Sequence, residues 1–186
     1  MLSFPEFLFL LSEEYAKPAS RQRDLFLGRY SPFHKGHEAI VSMMTNDPVL
    51  VIVKGSKTSQ DTTKNPFDEK YQQELIRKVF PHIEISVAPN GFLPGILGYF
   101  RKRGSEITRV FCGSDRIKGY SEAISKINQR MEPVYHYNVT FVETPRITSA
   151  TKVRESIANG DYEQFKQLMP RQLWKEFDTM QKKMGV

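Results

Sequence analysis

Val49-Leu50-Val51-Ile52-Val53 is an unbroken apolar run set between Asp47-Pro48 and Lys54-Gly55. A strand with no polar face has to be covered on both sides, the situation of a strand inside a parallel sheet layered by helices. Further strand signals lie at Leu25–Leu27, Ile83–Val87, Ile107–Cys112 and Val139–Val142, and helical patterns separate them. Helices are expected from Gly36 to about Thr45, from Asn65-Pro66-Phe67 through a stripe of Tyr71, Leu75, Ile76 and Val79, and over 91–103 up to Gly104. Another carries Ile124, Ile127 and Met131. A helix capped by Thr148 or Ser149 holds Val153 and Ile157 and closes at Gly160. Two short helices follow, split by Met169-Pro170, with Leu173, Trp174, Phe177 and Met180 as core positions of the second. Alternation of this kind predicts one α/β domain, a doubly wound parallel sheet with C-terminal helices beside it.

Ahead of the first strand, Phe4, Phe7, Leu8, Leu11 and Tyr15 share one face of an extra N-terminal helix predicted over 3–17. Lys17-Pro18-Ala19-Ser20-Arg21 reads as a linker, so 1–23 is taken as an extension and 24–186 as a single domain. Glu6 and the lack of a basic stretch or small-residue cleavage site argue against a secretory signal. The expectation is a helix docked on the domain or on a second subunit, which leaves a homo-oligomer open. No apolar stretch approaches the roughly 20 residues of a membrane span. Cys112 is the single cysteine, which excludes an internal disulfide and fits a reducing compartment such as the cytoplasm. Its apolar neighbours make it a core residue.

Basic residues outnumber acidic ones by 27 to 21, for a net charge of +6. That balance suits a polyanionic ligand without choosing between a triphosphate and nucleic acid. Three clusters fall at predicted strand-to-helix turns, which converge at the carboxyl edge of such a sheet. In the first, Gly28 is read as letting a ligand approach the main chain and Pro32 as fixing the loop. Arg29, His34, Lys35 and His37 are expected to point at one anion. The second is Gly113-Ser114-Asp115-Arg116, where Asp115 serves as ligand contact, helix cap or both. In the third, Thr148–Arg154, the arginine lies one turn inside a hydroxyl-rich helix start. The polar stretch 54–64 is a substrate lid or a solvated connection, and Arg101-Lys102-Arg103 a wet helix end or a phosphate contact. There is no Walker loop, no G-x-G-x-x-G and no Cys/His set at zinc spacing.

His34-Lys35-Gly36-His37 resembles the HxGH motif of the nucleotidyltransferase α/β-phosphodiesterase superfamily. Ser149-Ala150-Thr151-Lys152-Val153-Arg154 resembles its second motif, written ISSTxxR or SGTxxR, in the expected order. Within the superfamily, Gly28-Arg29-Tyr30-Ser31-Pro32-Phe33-His34 is similar to the G-R-F-x-P-x-H opening of nicotinamide mononucleotide adenylyltransferases. The Gly55-Ser56 turn, Asn65-Pro66-Phe67, and Gly160-Asp161-Tyr162 with Met169-Pro170 resemble the archaeal type and related proteins of some tailed phages. The resemblance covers roughly 24–170. It implies a Rossmann-like fold and transfer of AMP from ATP to the phosphate of nicotinamide mononucleotide, with release of pyrophosphate. It implies Mg²⁺ bound with ATP, no protein metal ligand, small-molecule partners in place of nucleic acid or membrane, and a cytoplasmic location (the host's if phage-encoded). The catalytic positions it implies are His34, His37, Arg29 and Arg154. Nucleotide contacts fall on Gly28, Arg29, Tyr30, His34, Gly36, His37, Gly113, Ser114, Asp115, Ser149, Ala150, Thr151 and Arg154. Ala150 stands where serine or glycine is usual, and no aromatic is assigned to the nicotinamide. Adenylyl or cytidylyl transfer to another phosphorylated acceptor, and a non-catalytic nucleotide-binding or structural module, remain open.

Overall fold

A computed structural model describes residues 19–55, 61 and 64–186. The helix predicted over 3–17 and most of the 54–64 stretch lie outside the described residues. Five strands form one sheet: β1 (Arg21–Gly28), β2 (Val49–Val53), β3 (Glu84–Ala88), β4 (Ser105–Cys112) and β5 (Thr140–Glu143). All neighbours are parallel, in the order β3-β2-β1-β4-β5. Between them run α1 (Lys35–Met43), α2 (Glu69–Val79), α3 (Leu93–Lys102) and α4 (Ser114–Asn128). After β5 come α5 (Ala150–Ala158), α6 (Tyr162–Leu168), a 3₁₀ turn (Arg171–Glu176) and α7 (Phe177–Met184). This is the Rossmann-like doubly wound α/β fold with C-terminal helices.

The apolar runs explain the layering. Successive strand side chains point to opposite faces, so Leu25, Val49, Val51 and Val110 pack under α3 and α4 with Leu93, Leu97, Phe100, Ile124 and Ile127. Phe26, Leu50, Ile52 and Phe111 pack on the other face with α1, α2 and the C-terminal helices. There Val153, Ile157, Phe165, Leu173 and Met180 are all fully buried. Trp174 sits only partly inside this core, its indole N–H donating to the Met169 carbonyl at 3.2 Å. Among the described residues no helix is long and apolar enough to cross a membrane.

Charged residues that a periodicity count assigns to the surface prove to be internal braces. β1 starts at Arg21, ahead of its apolar stretch, because Arg23 and Asp24 are buried and paired. Asp24 accepts from Arg109 Nε (2.8 Å) and Nη2 (2.5 Å) and from the N–H groups of Thr45 (2.8 Å) and Asn46 (3.0 Å). Arg23 Nη1 donates to Glu84 at 2.6 Å, joining β1 to the start of β3. In the Arg101-Lys102-Arg103 run, Arg101 is 5% exposed and holds Glu106 and the Tyr135 carbonyl, so it is a structural tie and not a phosphate contact.

Candidate active site

Strand order reverses at β1 and β4, where one crossover leads toward β2 and the other toward β5. Loops diverge at such a switch point, and here they leave a cleft of about 950 Å³ above the carboxyl ends. The β1–α1 loop and the first turns of α1, α4 and α5 form its walls.

His34 is the N-cap of α1 and His37 its third residue, and together they close a capping box. His34 Nδ1 accepts from the His37 N–H at 3.4 Å, and His37 Nδ1 accepts from the His34 N–H at 3.3 Å. The rings stack with centroids 3.7 Å apart and planes 16° off parallel. A ring nitrogen that accepts carries no proton, so each neutral ring is protonated on Nε2. Burial pushes His34 down to about 4. Burial, with the neighbouring His34, holds His37 well below the usual imidazole value. At neutral pH the pair offers the cleft two N–H donors and no charge. Gly36 makes the arrangement fit, since a Cβ there would stand 3.0 Å from Cε1 and 3.1 Å from Nδ1 of His34.

Cationic charge comes from elsewhere. Arg154 reaches over from α5, donating from Nη1 to the Ser31 carbonyl at 2.6 Å and from Nη2 to Thr151 Oγ1 at 3.3 Å. Burial, then the Arg29 guanidinium, lower its pKa, as expected for two like charges that an anion would relieve. Arg29 is exposed on the cleft rim. Lys35 does not join them. Its ammonium donates to the carbonyls of Lys166 (3.1 Å) and Gln167 (2.8 Å), at the C-terminal end of α6 and away from the cleft wall.

Gly28 also stands apart from the cleft wall. A Cβ there would meet the Tyr30 ring at 3.0 Å, so the missing side chain makes room for that ring and not for a ligand. Tyr30 adopts a positive φ of 48° and is 1% exposed. Its hydroxyl donates to the Phe26 carbonyl at 2.7 Å, leaving the ring as floor of the cleft. Gly113, Ser114 and Asp115 line the opposite wall. Gly113 is the N-cap of α4, and Asp115 lies in its first turn with its side chain folded over Gly113, where a Cβ would come within 2.6 Å of Oδ1. Ser149 caps α5 by accepting from the Lys152 N–H at 3.3 Å, and with Ala150 and Thr151 it faces the cleft.

Two wall residues fall outside the nucleotide contacts that the resemblance implies, although Thr148 opens the third cluster. Ser31 Oγ and Thr148 Oγ1 are buried and have no hydrogen-bond partner among the described residues. Buried hydroxyls are normally satisfied, and these two line the cleft beside His34 and Ser149. Their place within the two motif loops was the available signal. Arg116, Arg146 and Lys64 add further positive charge. Among the described residues Asp115 is the only carboxylate on the wall, and no group of three His, Cys, Asp or Glu is placed to hold a metal ion.

A curated nicotinamide-nucleotide adenylyltransferase of Thermococcus kodakarensis is 26% identical over 152 residues, spanning 81% of this chain and 79% of that protein. One from Halorubrum lacusprofundi is 31% identical over 65 residues, which is 34% of this chain and only 37% of the relative's length. A solved candidate nicotinate-nucleotide adenylyltransferase from Vibrio parahaemolyticus superposes with a TM-score of 0.59 at 11% identity, covering 84% of this chain and 98% of that one. Thermotoga maritima TmcAL bound with α-thio ATP gives 0.54 at 12% identity, covering 86% of this chain and 55% of that one. No family model matches the chain. The chain is thus similar in sequence to nicotinamide-nucleotide adenylyltransferases and shares its fold with the solved nicotinate-nucleotide adenylyltransferase candidate and with TmcAL.

Proposed function

We propose that this chain is an adenylyltransferase that moves AMP from ATP to the phosphate of nicotinamide mononucleotide and releases pyrophosphate. The observation that supports this most is the meeting of two neutral imidazole donors with Arg154 and the α5 start across one cleft at the β1/β4 switch point. An oxygen of the acceptor phosphate attacks the α-phosphorus in line. The bond from that phosphorus to the bridging oxygen breaks, and pyrophosphate leaves with the electron pair. A phosphate monoester is already nucleophilic near neutral pH, so no side chain has to take a proton, and catalysis is positioning plus charge stabilisation.

In this reading His34 and His37 donate Nε2–H to the α-phosphate, where charge grows in the transition state. Arg154, Arg29 and the first N–H groups of α5 hold the β,γ end that departs. Ser31 and Thr148 are hydroxyl donors beside them, and the Gly113–Asp115 turn faces the nucleoside. Mg²⁺ would be held mainly by the triphosphate oxygens with Asp115 as the nearby carboxylate, and it neutralises that charge when bound. Residues 24–186 are the catalytic domain in this reading, and the single cysteine suits a reducing compartment such as the cytoplasm.

The test is pyrophosphate release with Mg²⁺ and a matrix of ATP and CTP against phosphorylated acceptors. Release from ATP with nicotinamide mononucleotide, giving the dinucleotide, is the expected result. Release from a different pair alone would overturn the acceptor assignment while keeping the chemistry. ATP binding without release from any pair would make the chain a non-catalytic nucleotide-binding module.

A further inference from the structure

We infer that Lys35 is a positioning residue: its ammonium ties the histidine-bearing start of α1 to the C-terminal end of α6 and so fixes the gap between the imidazoles and Arg154. Lys35 is the first residue of α1, next to His34, yet its side chain leaves the cleft. It donates to two main-chain carbonyls more than 130 positions away, those of Lys166 and Gln167. Carbonyls in the last turn of a helix have no partner within it and favour a cation. A neutral side chain of the same length supplies neither the charge nor the donors.

Anchoring α6 also anchors Arg154. α5 and α6 are joined by a tight turn in which Gly160 takes a φ of +68° and the Asp161 N–H donates to the Ser156 carbonyl at 2.9 Å. Phe165 of α6 packs in the same core as Val153 and Ile157 of α5. The two helices therefore form one block, and Lys35 fastens that block to the residue adjoining His34. Among the described residues, the other direct bond between the block and this loop that bears on the site is Arg154 to the Ser31 carbonyl. Arg154 lines the cleft, so an anion there would compete with that carbonyl for its donors. Lys35 makes its bonds outside the cleft, so its tether holds while Arg154 works. Granted the adenylyl-transfer reading, on which this depends, Lys35 keeps the donors for the α-phosphate in register with the cation for the leaving group.

The test compares wild type, Lys35→Met and Lys35→Arg by thermal unfolding, ATP affinity in calorimetry, and kcat and KM for pyrophosphate release. Lys35→Met should weaken ATP binding about tenfold and lower kcat as well, since displacement of bound groups by a fraction of an ångström to an ångström costs up to about 100-fold. Lys35→Arg, which can reach both carbonyls, should recover most of both. Wild-type affinity and turnover in folded Lys35→Met would overturn the inference. Equal impairment of Met and Arg variants would overturn it too, because it would mean that shape and not the ammonium tether matters. If Lys35→Met does not fold, Lys35→Leu, which also lacks a donor, takes its place and the same results decide. A wild-type protein that binds ATP but releases no pyrophosphate would refute the adenylyl-transfer reading alone, and the three ATP affinities would still decide the role of Lys35.

Discussion

Replacing Gly36 by alanine sets two effects of opposite sign against each other. Gly36 is the second residue of α1, and alanine inside a helix is better than glycine by about 0.8–1 kcal/mol. Against this, the new Cβ would lie 3.0 Å from His34 Cε1, 3.1 Å from Nδ1 and 3.4 Å from Thr148 Cγ2. The His34 ring has little room to yield, being 4% exposed with the His37 ring stacked on it at 3.7 Å. A shift of a few tenths of an ångström stretches the 3.4 Å bond from the His37 N–H past hydrogen-bonding range. Loss of a cap costs about 0.5–2 kcal/mol. The two terms nearly cancel, so Tm should move by no more than about 2–4 °C. Activity has no such cancellation, because it follows the Nε2–H directions; kcat/KM should fall by about 10- to 100-fold. Thermal unfolding and pyrophosphate release on one preparation measure both. A Gly36→Ala enzyme with wild-type kcat/KM would refute the claim that Gly36 exists to seat the His34 ring.

Thr148→Val keeps the volume and deletes an unpartnered buried hydroxyl, so stability should hold or rise slightly. If that hydroxyl serves a phosphate, ATP affinity should drop about tenfold or more, a charge-assisted bond being worth about 1.5–3 kcal/mol; calorimetry reads it. Asp24→Ala should cost about 3–5 kcal/mol in denaturant unfolding while leaving the kcat of the folded enzyme unchanged, since the Asp24–Arg109 pair is a brace remote from the cleft. Burial pulls the Asp24 carboxyl up, but Arg109 and the Asn46 and Thr45 amides outweigh it and leave it below 3.8. Its stabilisation is thus present above about pH 4 and lost as pH falls further. The buried histidines act in a higher window: His34 titrates at about 4 when folded and 6.5 when not. The unfolded chain binds the extra proton between those values, so stability should fall as pH drops from 6.5 to 4, on the order of 3 kcal/mol for His34. His34→Asn should remove the His34 share of that slope and leave the share of His37; an unchanged slope would contradict the neutral, buried assignment.

The layered fold was legible because strand and helix periods are set by burial, and each apolar run shows which faces are covered. Val49–Val53 needs both faces dry, and the structure supplies α1 and α2 on one side and α3 on the other. The gathering of the three clusters was legible for a topological reason: in a parallel sheet every strand delivers its following turn to the same edge. What sequence did not give is the direction of single side chains. Consecutive helical residues point about 100° apart, so Lys35 at the first position and His37 at the third face opposite ways. Adjacency in a motif thus suggested convergence where the helix imposes divergence. Gly28 looked like a ligand approach, but its function is decided by Tyr30, two residues on, whose ring occupies the space. The buried braces were illegible because a charge pattern cannot reveal a partner 85 positions away, as Asp24 and Arg109 are.

The charge layout of the cleft bears on how its binding energy is used. Had both histidines been cations, they would attract the triphosphate as strongly in the ground state as in the transition state, and such uniform binding lowers KM without raising kcat. Two stacked rings 3.7 Å apart, sheltered from water, cannot both hold a proton at neutral pH. In the proposed reaction they would meet the reacting phosphate as neutral donors whose proton affinity rises with the negative charge that faces them. Their hydrogen bonds therefore strengthen as charge builds on the α-phosphate during in-line attack. The permanent cations, Arg154 and Arg29, stand at the α5 side and the rim, where the proposed reaction would put the departing pyrophosphate, which already carries its charge. On the proposed reading, discrimination between ground and transition state resides in the pair that can still respond to charge, and affinity in the pair that cannot.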